Sequence, residues 1–311
     1  MSVLISGSLA YDTVFEHEGH FSDHLLADQI AHLNLTFQAS AMRRTLGGCA
    51  GNIAYSLRLL GGDPFIWTAV GKDITEYLQH LKVHDIRTDG ITIVPQTYSA
   101  QAIITTDQSG CQLTTFYSGA MDYADQLPFP DAERNRLTLA ILAPTTREPL
   151  LAHAKACQTH GLPYLLDTGQ TTPLFEGETL LDLVSHSVGV CFSDYEAELY
   201  EQKTGLNARA LSRLGTVVYQ THGEHGASVW INGQHHAIPT PHVQAVDPVG
   251  AGDAFRGGLL HGLTLGLSPI DSARLGCLMG AVKVQHAGSN YTYSLTQARQ
   301  DWKTMWGEAP F

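Results

Sequence analysis

Short apolar runs alternate along this chain with longer stretches whose apolar positions recur every three to four residues. Continuous runs at Val3–Ser8, Pro64–Val70, Leu137–Ala143, Pro163–Asp167, Val188–Phe192 and Thr216–Gln220 read as buried strands. Helical spacing follows at Asn52–Leu60, Ile74–Leu81, Pro149–His160, Tyr195–Thr204, Ala254–Leu265 and Ile270–His286. Strand followed by helix, repeated, predicts βαβ units and a mostly parallel sheet covered on both faces. Open sheets of this kind bind ligands at the carboxyl edge of their strands, where Asp12, Asp167 and Glu196 are expected to converge.

Two regions break the rhythm. Residues 13–46 scatter histidine and acidic residues before a strand-like alternation from Asn34 to Thr45, and Thr97–Thr106 with Gln112–Ser118 reads as a hairpin across Asp107-Gln108-Ser109-Gly110. Both read as an additional small sheet within a single domain spanning 1–311. A chain of 311 residues with 43% hydrophobic content can bury one large core.

Charge narrows the partners. With 18 Lys and Arg against 30 Asp and Glu, the net charge of −12 leaves no basic stripe for nucleic acid or an anionic membrane. Any phosphorylated ligand has to be handled locally. Cysteines 49, 111, 157, 191 and 277 are spread without a C-x-x-C pair, which fits a reducing cytoplasm, and no basic leader or membrane-length apolar run is seen. The sixteen histidines lack zinc spacing.

The chemistry is densest at Asp247-Pro248-Val249-Gly250-Ala251-Gly252-Asp253, which leads directly into an apolar helix. Three residues with almost no side chain let backbone N–H groups approach an anion at a helix N-terminus. Asp253, in the first turn, is placed to accept a proton from a hydroxyl attacking a phosphoryl group held there. Taken alone, the same residues could be a glycine-rich cap whose aspartate complements the helix dipole. Neither the dinucleotide fingerprint nor the Walker pattern fits, because Phe255 and Arg256 stand where a third glycine would be and no Gly-Lys-Ser/Thr follows. Upstream, Gly47-Gly48-Cys49-Ala50-Gly51-Asn52 precedes a helix, and Val70-Gly71-Lys72-Asp73 follows the next strand. Asn52 offers a donor and an acceptor to hydroxyls, or simply caps its helix.

These stretches resemble the C-terminal and N-terminal motifs of the PfkB carbohydrate kinase family, also called ribokinase-like. The resemblance covers essentially the whole chain. It implies a three-layer α/β/α fold with a small β-sheet lid from about 13–46 and 97–118, which would close over the substrate and exclude water. It implies ATP and Mg²⁺, with a monovalent cation such as K⁺ as a further family cofactor. Asp253 becomes the base, and Gly250, Ala251 and Gly252 the anion hole. Asp12, Gly48 and Asn52 orient substrate hydroxyls, while Thr221, Gly223 and Gly226 of Thr221-His222-Gly223-Glu224-His225-Gly226 line the nucleotide. Asn290 falls where the family contacts adenine, and is equally read as a loop cap. Glu196 organises magnesium through water, although Ser193 stands where the family carries asparagine.

The long lid insertion and the Ser99–Ala102 strand look closer to bacterial adenosine or nucleoside kinases than to ribokinase itself. Phe37 is a candidate to stack on a base, or else a packed lid aromatic. The expected activity is transfer of the γ-phosphoryl group of ATP to a hydroxymethyl group of a nucleoside. A sugar kinase and a catalytically silent sensor remain alternatives, and a homodimer through the lid is left open.

Overall fold

In the computed structural model, which describes residues 1–23, 35–288 and 291–311, the elements follow one another as below. The first part holds β1 (Ser2–Ser6), β2 (Ala10–His17), β3 (Ala39–Gly47), α1 (Cys49–Leu59), β4 (Asp63–Gly71), α2 (Thr75–Val83), β5 (Ile91–Val94), β6 (Ala100–Thr106) and β7 (Gln112–Tyr117). The middle holds β8 (Leu137–Leu142), α3 (Arg147–His160), β9 (Tyr164–Leu166), α4 (Gly177–Ser185), β10 (Gly189–Ser193), α5 (Asp194–Thr204) and α6 (Ala208–Ser212). The last part holds β11 (Val217–Thr221), β12 (Ala227–Ile231), β13 (Gln234–Ile238), α7 (Ala251–Thr264), α8 (Pro269–Lys283) and α9 (Leu295–Trp306).

Nine strands form one sheet in the order β13-β12-β11-β10-β9-β8-β1-β4-β5. It is parallel from β11 to β5, and the β12–β13 hairpin adds two antiparallel strands at one edge. Because successive strand residues point to opposite faces, β1 feeds two cores at once. Val3 and Ile5 pack with Ile53 and Leu57 of α1, Leu259 and Leu260 of α7, Leu278 of α8 and Trp302 of α9. Leu4 packs on the other face with Leu150 and Ala154 of α3, Leu180 and Leu183 of α4, and Tyr200 of α5. Side chains this fully buried contribute about 1.5–3 kcal/mol each, which explains why both faces must be covered. The result is the three-layer α/β/α arrangement expected.

A second sheet of four strands, in the order β3-β2-β6-β7, stands apart from the first. Its hairpin turns where expected, with Asp107 Oδ1 accepting from Ser109 N at 2.8 Å and Cys111 N at 2.9 Å. The link to the main sheet runs through Asp73, just past β4. Its carboxylate accepts from Ser99 N at 2.8 Å and Gln101 Nε2 at 3.2 Å, and its carbonyl accepts from Tyr11 Oη at 3.0 Å. One expectation needs correcting: Asp12 does not follow the end of β1 but lies inside β2, paired with Thr45 and Ala102. The chain turns at Gly7–Leu9 before β2, so the aspartate belongs to the small sheet.

Candidate active site

Helix α7 begins at Gly250, whose φ of 79° and ψ of 3° place it in the left-handed region that glycine adopts without strain. Ala251 N donates to Pro248 O at 3.1 Å and closes this turn. The amides of Gly252 and Asp253, in the first helical turn, have no intrahelical acceptor in any α-helix, so the corner presents N–H groups and the positive end of the helix dipole. Asp253 is half-buried, and its Oδ2 accepts from Asn52 Nδ2 at 2.9 Å. Burial raises the Asp253 carboxyl above its ordinary value, while Arg256, Asn52 and the Cys49 thiol pull the other way. That environment makes a better proton acceptor than an exposed aspartate once it is ionised.

Below the corner lies an ionic cluster. Arg256, one turn along α7, is buried and grips Asp167 with both edges: Nη2 donates to Oδ1 at 3.0 Å, and Nε approaches Oδ2. Its Nη2 also stands 4.0 Å from Glu196 Oε2. Burial pushes the Asp167 carboxyl up and the adjacent guanidinium draws it back. Breaking such a buried pair by removing one partner typically costs about 3–5 kcal/mol. Glu196 reaches this position through the start of α5. Ser193 Oγ accepts from Glu196 N at 3.3 Å while Glu196 Oε2 accepts from Ser193 N at 2.7 Å, a reciprocal capping box. Serine in place of asparagine therefore keeps the glutamate fixed.

The second wall is the Gly47–Asn52 segment. Gly48 caps α1 with φ 91°, and a Cβ there would stand 2.5 Å from Ser8 O, so only glycine lets the chain pass. The buried hydroxyl of Tyr77 donates to Gly47 O at 2.8 Å and holds this turn from below. Asp12 lies against Gly47, where any side chain would strike its carboxylate, and burial raises its pKa. Asp12, Gly48, Asn52 and Asp253 thus form one continuous wall. Opposite, Thr221 ends β11 beside Ser193 and donates through Oγ1 to Phe192 O at 3.3 Å. Gly223 and Gly226 bracket a one-turn 3₁₀ helix, and His222 pins it to Asp194 at 2.6 Å and to Ser228 at 2.7 Å. The register β10–β11 and the Glu196–Arg256 approach connect this loop to Asp253.

Among the expected residues that are described, Phe37 is not brought in. Asn290 lies outside the described residues. Phe37 packs at the tip of the small sheet, with ring centroids 5.1 Å from His17 and 5.0 Å from Phe21. His17 is five positions along β2 from Asp12, roughly 16 Å at strand spacing, so Phe37 does not share a wall with Asp12 in this conformation. Conversely, Arg256, Tyr77 and Lys283 were not anticipated. The signal available for two of them was a single cation inside an otherwise apolar helix run, at Ala254–Leu260 and Leu278–Val284.

Residues 4–296 match the family described as pfkB family carbohydrate kinase. The chain belongs to this family. A nucleoside kinase of Burkholderia thailandensis, solved in complex with inosine, superposes with a TM-score of 0.87 at 35% identity, covering 99% of this chain and 100% of that one. The same enzyme solved in complex with ADP-inosine gives a TM-score of 0.84 at 37% identity, covering 99% and 97%. In sequence, the nucleoside kinase of Methanothermobacter thermautotrophicus is 26% identical over 306 residues, 92% of this chain and 96% of that protein. As a PfkB protein, the chain is a kinase that transfers phosphoryl groups to an alcohol acceptor. No helix among the described residues is long and apolar enough to cross a membrane.

Proposed function

We propose that this chain is an ATP-dependent nucleoside kinase acting on a hydroxymethyl group of the ribose ring. The observation that carries the proposal is Asp253, held by Asn52 at 2.9 Å in the first turn of α7, directly at the Gly250–Gly252 corner. In this reading Asp12, Gly48 and Asn52 orient the ring hydroxyls and Asp253 takes the proton of the attacking hydroxyl. The first-turn amides meet the charge that develops on the transferring phosphoryl group, and Thr221, Gly223 and Gly226 line the nucleotide. Arg256 keeps the helix N-terminus and the Asp167 and Glu196 carboxylates in register. The acceptor class comes from similarity to a kinase solved with inosine.

Mg²⁺ fits an outer-shell role here. Among the described residues no three His, Cys, Asp or Glu side chains are grouped to hold a metal ion, which suits an ion carried chiefly by nucleotide phosphates and water. Glu196 would hold that ion's water through Oε1, the oxygen that takes no part in the capping box. When bound, Mg²⁺ neutralises phosphate charge. The four-stranded sheet, which carries Asp12, acts as the lid that excludes water, and Met42, Ile103 and Leu113, exposed on one of its faces, provide the surface for a homodimer. The cytoplasm is the compartment in which such a kinase meets ATP.

The test is coupled ADP release with ATP and Mg²⁺ over adenosine, inosine, other nucleosides, ribose, fructose and 2-keto-3-deoxygluconate. Turnover confined to nucleosides supports the proposal. Turnover on free sugars alone moves the acceptor to the sugar class, and binding without turnover on every compound leaves a sensor.

A further inference from the structure

Behind the Gly250 corner the fold buries a whole ammonium group. Lys283 ends α8 with only 2% of its surface exposed. Its Nζ donates to Asp247 O at 3.0 Å and His286 O at 3.2 Å, and lies 3.4 Å from Asp247 Oδ2. Its Cε comes within 3.7 Å of the point where a Cβ on Gly250 would stand. Burying an ammonium without partners is costly, and these three oxygens are the partners that offset its desolvation. Two carbonyls and a carboxylate around one point charge are also the hard oxygen donors that a monovalent cation takes.

The same contacts organise the anion corner. Asp247 Oδ1 accepts from Val249 N at 3.0 Å and Oδ2 accepts from Gly288 N at 2.8 Å. Although burial works against it, the Asp247 carboxyl is held below its ordinary value by those two amides and by Lys283. Val246 N and Asp247 N both donate to Val284 O, at 2.7 and 3.0 Å. The loop that delivers Gly250 is therefore clamped to the end of α8 and the turn beyond it, with Nζ at the centre of the clamp.

A separate monovalent ion does not fit here, because an ion touching the same oxygens would overlap Nζ and meet a like charge. We propose that Lys283 is a tethered cation: it positions the Asp247–Gly250 loop as a free monovalent ion would, so that phosphoryl transfer needs neither K⁺ nor Na⁺. This inference rests on the kinase reading given above. Lys283 acts through the loop and is a positioning residue, since nothing places it against the reacting atoms.

Wild-type turnover is measured at equal ionic strength with K⁺, Na⁺ or tetramethylammonium as the only monovalent cation, and is expected to agree within about two-fold. Lys283→Ala is expected to lose turnover on the order of ten-fold or more in tetramethylammonium and to recover it, saturably, with K⁺ or NH₄⁺. Added K⁺ should raise the melting temperature of Lys283→Ala and leave that of the wild type unmoved, because only the variant has a vacant oxygen shell to bind it. A wild type that needs K⁺ for turnover overturns the proposal. So does a folded Lys283→Ala that keeps its turnover in tetramethylammonium, or one that no cation restores. If Lys283→Ala does not fold, the wild-type salt series decides by itself. If the wild type turns over no acceptor in any salt, the kinase reading fails and the melting comparison alone judges Lys283.

Discussion

Replacing Asp253 with asparagine separates chemistry from structure at this site. The amide oxygen of Asp253→Asn can still accept from Asn52 Nδ2, the bond seen at 2.9 Å, so the wall formed with α1 persists. What disappears is the proton acceptor, worth about 10²–10⁴ in kcat, or roughly 3–5 kcal/mol of barrier. Stability should move the other way. Burial raises the Asp253 carboxyl despite Arg256 nearby, so the ionised form costs stability near neutral pH and a neutral amide relieves that cost. Asp253→Ala differs, because it leaves the Asn52 amide without this acceptor at a cost of about 1 kcal/mol. The assay is initial-rate ADP release alongside a thermal melt. For Asp253→Asn the expected result is a large fall in kcat with KM and melting temperature preserved or the latter raised. In the wild type, kcat/KM should rise with pH through a limb above the ordinary aspartate range, since the base works only when ionised, and Asp253→Asn should lack that limb. Retention of kcat within about ten-fold would place the base elsewhere. A melting point lowered by more than about 3 °C would mean that the loss of activity is structural.

Three further outcomes are expected. Gly48→Ala forces a Cβ to within 2.5 Å of Ser8 O and 2.8 Å of Ala10 N at a φ of 91°, and both obstacles are backbone, so urea unfolding should report a loss of about 2–3 kcal/mol; an unchanged midpoint would contradict the geometry. Phe37→Ala should leave nucleoside KM within about three-fold, because the ring is engaged with His17 and Phe21, and a rise of about ten-fold or more would show that it stacks on the base after lid closure. His153, wedged between Ser6 Oγ at 2.6 Å and Ala124 O at 2.8 Å, is pushed down to about 4 by burial. Its folded pKa is depressed, so the unfolded chain binds the extra proton and stability falls as pH drops from about 6.5 toward 4, by about 3 kcal/mol at the acid end. Urea midpoints across that window should show a steeper acid loss in the wild type than in His153→Gln, and equal slopes would refute the assignment.

The pattern of the chain by itself determined the alternation of strands and helices, the parallel sheet covered on both faces and the glycine corner ahead of Asp253. These are local properties: period, apolar run length, and the absence of side chains at 250 and 252. Elements with weak local signals escaped it. Strand β13 carries Gln234, His235 and His236 and does not stand out from a loop; helix α9 escaped for another reason, since Leu295, Ala298, Trp302 and Met305 do recur at helical spacing but sit among Gln297, Arg299, Gln300, Asp301 and Lys303. Two other things required the tertiary structure. The first is which face of the molecule each polar residue joins: Asp12 enters the small sheet because the chain turns at Gly7–Leu9, and Phe37 is carried to the far tip by the β2–β3 register. The second is long-range charge pairing. Arg256 meets Asp167 across 89 positions and Lys283 meets Asp247 across 36, and no periodicity encodes such distances. A cation inside an apolar helix announces that a partner must exist, because burying it alone is too costly, but only the packed sheet and helices decide which carboxylate or carbonyl that partner is.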